Sequence, residues 1–475
     1  MLDINNKNVC EKLLKGNIGL EKESLRITHD GFFSKTPHPF PGNNNIVRDF
    51  CENQTEINTS VTSSAKEALE ELSLHTKTIL ETLKKLPNPE YLWPFSNPPY
   101  ITRESDIPIA RYEGEEKEKE VYREYLAERY GRYKMTFSGI HFNYSFSDEL
   151  LKADFEAKNG NANLKEKKNE LDNTESTNVE KDYLDRSRGE NLSSDGVHLE
   201  SEISDFQTYK NQFYVSLASK AQVYNWIIVA ITAASPLLDS SYVEKGILGK
   251  DIFNGMGSTR CSELGYWNLF TLVLDYRDIE HYVDSIMAYI DLGLIHSSAE
   301  LYYPVRLKPV GKYSPEKLRT DGVGHIELRM IDLNPLTPWG IDLRDVYFIQ
   351  LFLIYLAALP DIEVGVREQS FAIQNTKNAA HYDLKTVNVI TPDNRTLWVA
   401  DAACEFLYEM KKFYEGLEDY EGEAEKENGL KISEVIDFQI SKFENAENRY
   451  AWKIRRKFGG GFVEKGLKLC EEREG

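Results

Sequence analysis

Three short segments constrain this chain more than any other feature: Gly19-Leu-Glu-Lys-Glu-Ser-Leu-Arg26, Asp49-Phe-Cys-Glu-Asn-Gln-Thr-Glu56 and His325-Ile-Glu-Leu-Arg329. Residues two apart on a strand project from the same face. Glu21 and Glu23 therefore share one face, Glu52 and Glu56 share another, and His325, Glu327 and Arg329 a third. Ile326, Leu328 and Met330 back the third set, the pattern of a strand with a cleft on one side and a core on the other. Asp49 falls out of alternation with Glu52 and Glu56, so it joins them only through a bend or bulge. Hard divalent cations take oxygen ligands, and Mg²⁺ is held by a few carboxylates together with substrate phosphates. Arginine beside such a cluster suits phosphate or carboxylate recognition. The three segments together read as a metal–nucleotide site.

At 475 residues the chain can bury a large core. A formal charge of −20 leaves no basic stripe for a nucleic-acid backbone. It fits a cytoplasmic protein acting on small molecules. The five cysteines are scattered without a CxxC pair, so neither a zinc site nor a disulfide framework is expected. The N-terminal residues lack the apolar core of a signal peptide. The apolar runs Trp226–Leu238 and Val346–Leu359 fall short of the about 20 residues that span a bilayer, and read as buried helices.

Helical spacing of Leu69, Leu72, Ile79 and Leu83 predicts a helix over 64–85, and a second is expected around 114–130. Alternation over 135–145 predicts a strand with His141, Asn143 and Ser145 on one face. The stretch 148–205 is rich in Glu, Lys, Asn, Asp and Ser, and reads as a solvated or disordered insertion with room for an exposed helix. Residues 346–475 read as mainly helical, with an acidic loop near 417–428 and a basic helix end at Lys453–Lys457.

Each motif has a plain alternative. Glu21 and Glu23 also fit the solvent face of an amphipathic strand, and Glu327 with Arg329 fits a cross-paired sheet surface. A lone His141 fits a structural hydrogen-bonder as well as a ligand. The segment 257–266 fits a loop in which Arg260 clamps a carboxylate, and equally a turn in which Ser262 caps a helix. There is no GxxxxGK[ST] loop and no strand–GxGxxG–helix fingerprint. Gly459–Gly461 follows a basic helix end and reads as a helix stop. Cys51, beside acidic residues, is a poor nucleophile.

Seven stretches resemble, in order, the bacterial glutamate–cysteine ligase family. They are Gly19–Arg26, Asp49–Glu56, Leu92-Trp-Pro-Phe-Ser96, Tyr122-Arg123 with Arg129-Tyr-Gly131, Ser138–Ser145, Ser262-Glu-Leu-Gly-Tyr266 and Glu327–Pro335. The resemblance covers about residues 16 to 345. It implies an α+β fold: a curved, mainly antiparallel, glutamine synthetase-like sheet forming a funnel-shaped site, with helices packed outside. One ligase domain over 1–475 is implied, of the single-function form, because no ATP-grasp module is recognised. The implied reaction joins the γ-carboxylate of glutamate to the amine of cysteine, with ATP as co-substrate, through γ-glutamyl phosphate. By resemblance Glu21, Glu23, Asp49, Glu56, His141 and Glu327 hold two or three Mg²⁺ (or Mn²⁺) ions. Arg329 steadies the transferring phosphoryl group and Arg260 holds a substrate carboxylate. Phe50, Tyr122, Tyr266 and Tyr302 shape the cysteine pocket with Arg123 nearby. The family often carries glutamine where this chain has Met135, which leaves a different amine acceptor open. A silent metal–nucleotide binding protein is the reading from another class. The sequence does not set the oligomeric state.

Overall fold

The computed structural model describes residues 1–160 and 194–474. Its strands are β1 (Gly16–Ile27), β2 (Ile46–Arg48), β3 (Gln54–Asn58), β4 (Tyr91–Leu92), β5 (Gly139–Phe146), β6 (Leu238–Asp239), β7 (Asp251–Ile252), β8 (Val305–Lys308), β9 (His325–Asp332), β10 (Asn388–Ile390) and β11 (Thr396–Trp398). The main sheet is antiparallel, in the order β2-β3-β1-β5-β9-β8 with β4 beside β1. Hairpins β6-β7 and β10-β11 stand apart from it. The twelve-residue β1 is the spine, pairing with β3, β4 and β5.

Alternation sorts the strands into a polar and an apolar face. Leu20, Phe142, Ile326 and Leu328 are buried in one core with Val346, Phe348, Leu351 and Phe352. Burying a side chain of this size contributes about 1.5–3 kcal/mol. The helix Leu343–Ala358 is buried along most of its length, as its unbroken apolar run requires. The expected helix at 64–85 is Ala65–Lys84, started by the Ser64 hydroxyl, which accepts from the Glu67 amide at 3.2 Å. Its buried stripe is Ala68, Leu72, Thr76, Ile79 and Leu83. The second expected helix is Lys117–Tyr130. No helix among the described residues is long and apolar enough to cross a membrane.

A second core joins the far end of β1 to the last two helices, Tyr450–Phe458 and Phe462–Glu474. Phe95 meets both Phe458 and Phe462 edge-on at 5.0 Å between ring centroids. Gly466 lets the final helix lie on Trp93, whose ring a Cβ there would overlap. The Gly459–Gly461 stop is confirmed and has a further role. Asp251 accepts from the amides of Gly460, Gly461 and Phe462 at 2.6, 3.0 and 2.8 Å, so its carboxylate starts the last helix.

Three expectations are corrected. The stretch 148–205 begins as helix over 148–160, with Leu150, Leu151 and Ala153 in the core and Asp154 accepting from the Asp3 amide at 2.6 Å. It ends inside the helix Ser194–Tyr224, while 161–193 lies outside the described residues. The acidic segment 417–428 is mostly helical, as Glu418–Tyr420 and Gly422–Asn428, because Glu, Lys and Ala are good helix formers. Ser262 caps no helix. Its hydroxyl donates to the Thr259 carbonyl at 2.8 Å within a turn.

Candidate active site

The polar face of the sheet opens into a cavity of about 350 Å³. Cross-strand register assembles its floor. Glu21 on β1 is opposite His141 on β5, Glu23 is opposite Glu56 on β3, and Glu327 on β9 lies between Asn143 on β5 and Arg306 on β8. Every expected ligand, Glu21, Glu23, Asp49, Glu56, His141 and Glu327, lines this cavity. So do Phe50, Tyr122, Arg123, Arg260, Tyr266, Tyr302 and Arg329.

His141 is the hub. Its Nδ1 lies 2.8 Å from Glu21 Oε2 and 3.9 Å from Glu327 Oε1, and its Nε2 lies 3.8 Å from Glu23. Ligand atoms of Glu21, His141 and Glu327 all lie within 4.8 Å of one another. The Asn143 amide donates to Glu21 at 3.1 Å, and the Gly139 amide donates to Glu23 at 3.0 Å.

Asp49 enters through the bend that its broken alternation requires. After β2 the chain turns, with the Gln54 amide donating to the Cys51 carbonyl at 2.9 Å and the Asp49 amide to the Gln54 carbonyl at 3.2 Å. Glu52 does not share a face with Glu56. It accepts from the amides of His38 and Arg111, both at 2.8 Å, and pairs with Arg48 at 3.2 Å. On β9 the register slips between the Ile140 and Phe142 pairings. Three residues of β9 there span two of β5, so Met330 reaches the cavity instead of lying wholly behind it with Ile326 and Leu328. His325 does not line the cavity.

The electrostatics divide the site. At one end burial and the neighbouring Asp49 push the Glu23 carboxyl up to about 8. Burial, with Asp49, Glu21 and Glu23, raises Glu56 well above the usual range. At the other end burial would also raise Glu327, but Arg329, Lys308 and His141 together hold it well below. Burial opposes Glu21 too, yet its hydrogen bond with His141 leaves it lowered. The Arg329 guanidinium is 3.2 Å from Glu327 Oε2. Glu327 Oε1 is buried without a hydrogen bond, its nearest cation being Lys308 Nζ at 3.3 Å. Crowded carboxylates that cannot all ionise alone, around one imidazole, fit a divalent-cation site. Burial and Asp49 also raise Cys51 well above the usual thiol range, in keeping with an unreactive cysteine.

The aromatic wall lies beyond. Tyr266 and Tyr302 rings are 4.0 Å apart, and Tyr302 meets Tyr130 edge-on at 5.3 Å. Buried Glu300 holds this wall, accepting from Tyr130 Oη at 2.6 Å and the His296 amide at 2.7 Å. Arg123 Nε donates to the Asp49 carbonyl at 2.6 Å, tying the helix Lys117–Tyr130 to the bend. Arg260 Nη2 donates to the Arg329 carbonyl at 2.8 Å.

Motif reading missed Lys308, Arg306 and Glu300. Alternation in Val305-Arg306-Leu307-Lys308 carries the signal for the first two, two cations on one strand face. Glu300 has no local signal, because its partners lie on other elements.

Over residues 1–181 and 289–379 the chain matches the glutamate–cysteine ligase family model, and it belongs to that family. It is 32% identical over 472 residues to the bifunctional glutathione biosynthesis protein GshAB of Listeria welshimeri, covering 97% of this chain and 54% of that protein. Its counterpart from Clostridium perfringens is 29% identical over 483 residues, covering 99% and 55%. The chain thus spans about half the length of these curated relatives. Among solved structures, a bifunctional glutathione synthetase from Pasteurella multocida superposes with TM-score 0.73 at 24% identity, covering 99% of this chain and 54% of that one. The glutamate–cysteine ligase of Francisella tularensis, in complex with AMP, gives 0.74 at 19% identity, covering 97% and 88%. The fold is shared at these levels.

Proposed function

We propose that this chain ligates the γ-carboxylate of glutamate to the amine of cysteine at the expense of ATP. The observation that carries the reading is the Glu21–His141–Glu327 cluster set against Arg329, Lys308 and Arg260 in one cavity. A γ-carboxylate oxygen attacks the terminal phosphorus of ATP and ADP leaves, giving an acyl phosphate. The amine then attacks the acyl carbon, inorganic phosphate leaves, and the amine proton passes to solvent. Phosphorylation turns a poor electrophile into one with a good leaving group, so no protein nucleophile is needed.

Glu21, Glu23, Asp49, Glu56, His141 and Glu327 would hold the Mg²⁺ ions, which when bound would neutralise charge on the phosphates. Arg329 faces the same space and offsets charge on the transferring phosphoryl oxygens, and Lys308 adds a second fixed cation. Arg260, which lines the cavity, would hold a substrate carboxylate. Tyr122, Tyr266, Tyr302, Phe50 and Arg123 form the wall for the amine substrate. The Francisella ligase is solved in complex with AMP, which favours a nucleotide among the substrates of this chain. The funnel-shaped approach and a catalytic unit spanning 1–475 belong to the same proposal.

Met135, which lines the cavity, motivates a second reading in which another amine is the acceptor. One assay decides: ADP release with glutamate and a panel of amines, run on the wild type and Glu327→Gln. Cysteine should be preferred, and the folded variant should lose orders of magnitude in turnover. Preference for a non-thiol amine selects the second reading. Tight ATP·Mg binding without glutamate-dependent ADP release would favour a silent binding protein.

A further inference from the structure

On the face of β1 opposite Glu21 and Glu23, Lys22 is 5% exposed and packs behind the sheet. It lines a separate cavity of about 20 Å³ with Arg473 of the last helix, Thr76 of the helix Ala65–Lys84 and an apolar rim that includes Trp93 and Leu333. Among the described residues no aspartate or glutamate lines this space. Among the described residues the Lys22 ammonium makes one hydrogen bond, a long one of 3.4 Å to Thr76 Oγ1. The Thr76 hydroxyl proton goes to the Leu72 carbonyl, and the Ser24 hydroxyl donates to the Glu23 carbonyl at 2.6 Å. Arg473 gives Nη2 to the carbonyls of Pro335 and Thr337 at 2.8 and 2.7 Å. The donors left over in this pocket belong to the two cations.

A buried charge without a partner is costly, and buried charges are ordinarily paired. The usual partner, a carboxylate, is missing from the lining while space remains. A volume of this size admits one water-sized occupant. We propose that Lys22 and Arg473 form a site for one small monatomic anion of the chloride class. The anion is the counter-charge that the sheet side lacks, and it pins the last helix to the strand bearing Glu21 and Glu23.

Thermal unfolding of the full chain, titrated with sodium chloride against sodium gluconate at constant ionic strength, tests this. Gluconate is too large to enter. The expected result is a saturable rise of about 2 °C with chloride, absent from Lys22→Met. Crystals of the wild type soaked in bromide supply an arm that does not depend on the variant folding, and should show an anomalous peak between Lys22 Nζ and Arg473. No peak together with equal melting in chloride and gluconate identifies the occupant as water and overturns the proposal. A peak without chloride-dependent melting means an adventitious ion only, and overturns it as well.

Discussion

The guanidinium of Arg260 lies directly over Gly139, so that a Cβ built on that glycine would overlap it. The arginine's own carbonyl presses equally on Gly265. Arg260 is therefore seated by two glycines, and Gly139 at once gives its amide to Glu23. Gly139→Ala should displace the guanidinium without unfolding the sheet, because the obstructing atoms end a flexible side chain. The KM for glutamate should rise about tenfold, equivalent to about 1.4 kcal/mol, with kcat less affected. Steady-state kinetics beside a melting curve checks this, and an unchanged KM would remove Arg260 from substrate binding.

Metal binding should release protons. Burial and Asp49 put Glu23 near 8 in the metal-free protein, and burial with the neighbouring carboxylates also raises Glu56 well above the usual range. Glu23 is therefore mostly protonated at pH 7, and ligands must be deprotonated. Calorimetric Mg²⁺ titration in two buffers of different ionisation enthalpy should show net proton release at pH 7.

The same shift sets a stability trend. The folded pKa of Glu23 exceeds its unfolded value of 4.5, so between 4.5 and 8 the folded state holds more protons. Its contribution is fully present below pH 4.5 and is lost as pH rises through about 8. With EDTA present the melting temperature should fall across this window. Added Mg²⁺ should restore it most at the alkaline end.

Lys308 pairs with Glu327 at 3.3 Å, where it would compete with a metal for that carboxylate. Lys308→Met should therefore tighten Mn²⁺ binding, read by electron paramagnetic resonance, while raising the KM for ATP about tenfold. Weaker Mn²⁺ binding would show that the lysine supports the ligands and does not oppose them.

Glu300 positions the tyrosine wall through Tyr130 and the His296 amide. Glu300→Gln keeps an acceptor for one partner and loses the other, a cost of about 1–3 kcal/mol. The KM for the amine substrate should rise while the KM for ATP stays put. A parallel loss in both would mark Glu300 as purely structural.

Strand alternation made the acidic faces of β1 and β9 legible, and helical spacing made Ala65–Lys84 legible. Local pattern could not supply register. Glu21 and His141 are 120 positions apart, and only the β1–β5 ladder places them opposite each other. The β9 slip that admits Met330, and the turn that admits Asp49 while diverting Glu52, are non-local for the same reason. The polar helix at 148–160 was obscured by composition, since its few apolar residues fall on one buried stripe. Lys22 was hidden by its neighbours. In a run of alternating charges, nothing local distinguishes the residue that turns inward.

Because the ligand cluster sits on three adjacent strands drawn from the beginning, first third and last third of the chain, it has no partial form. No hairpin carries it, and each ligand arrives with a different long-range pairing. Pairings of such high sequence separation form slowly. Cation affinity should therefore appear late in refolding, after most helical signal has returned, so that a bound metal reports that the chain has closed its topology.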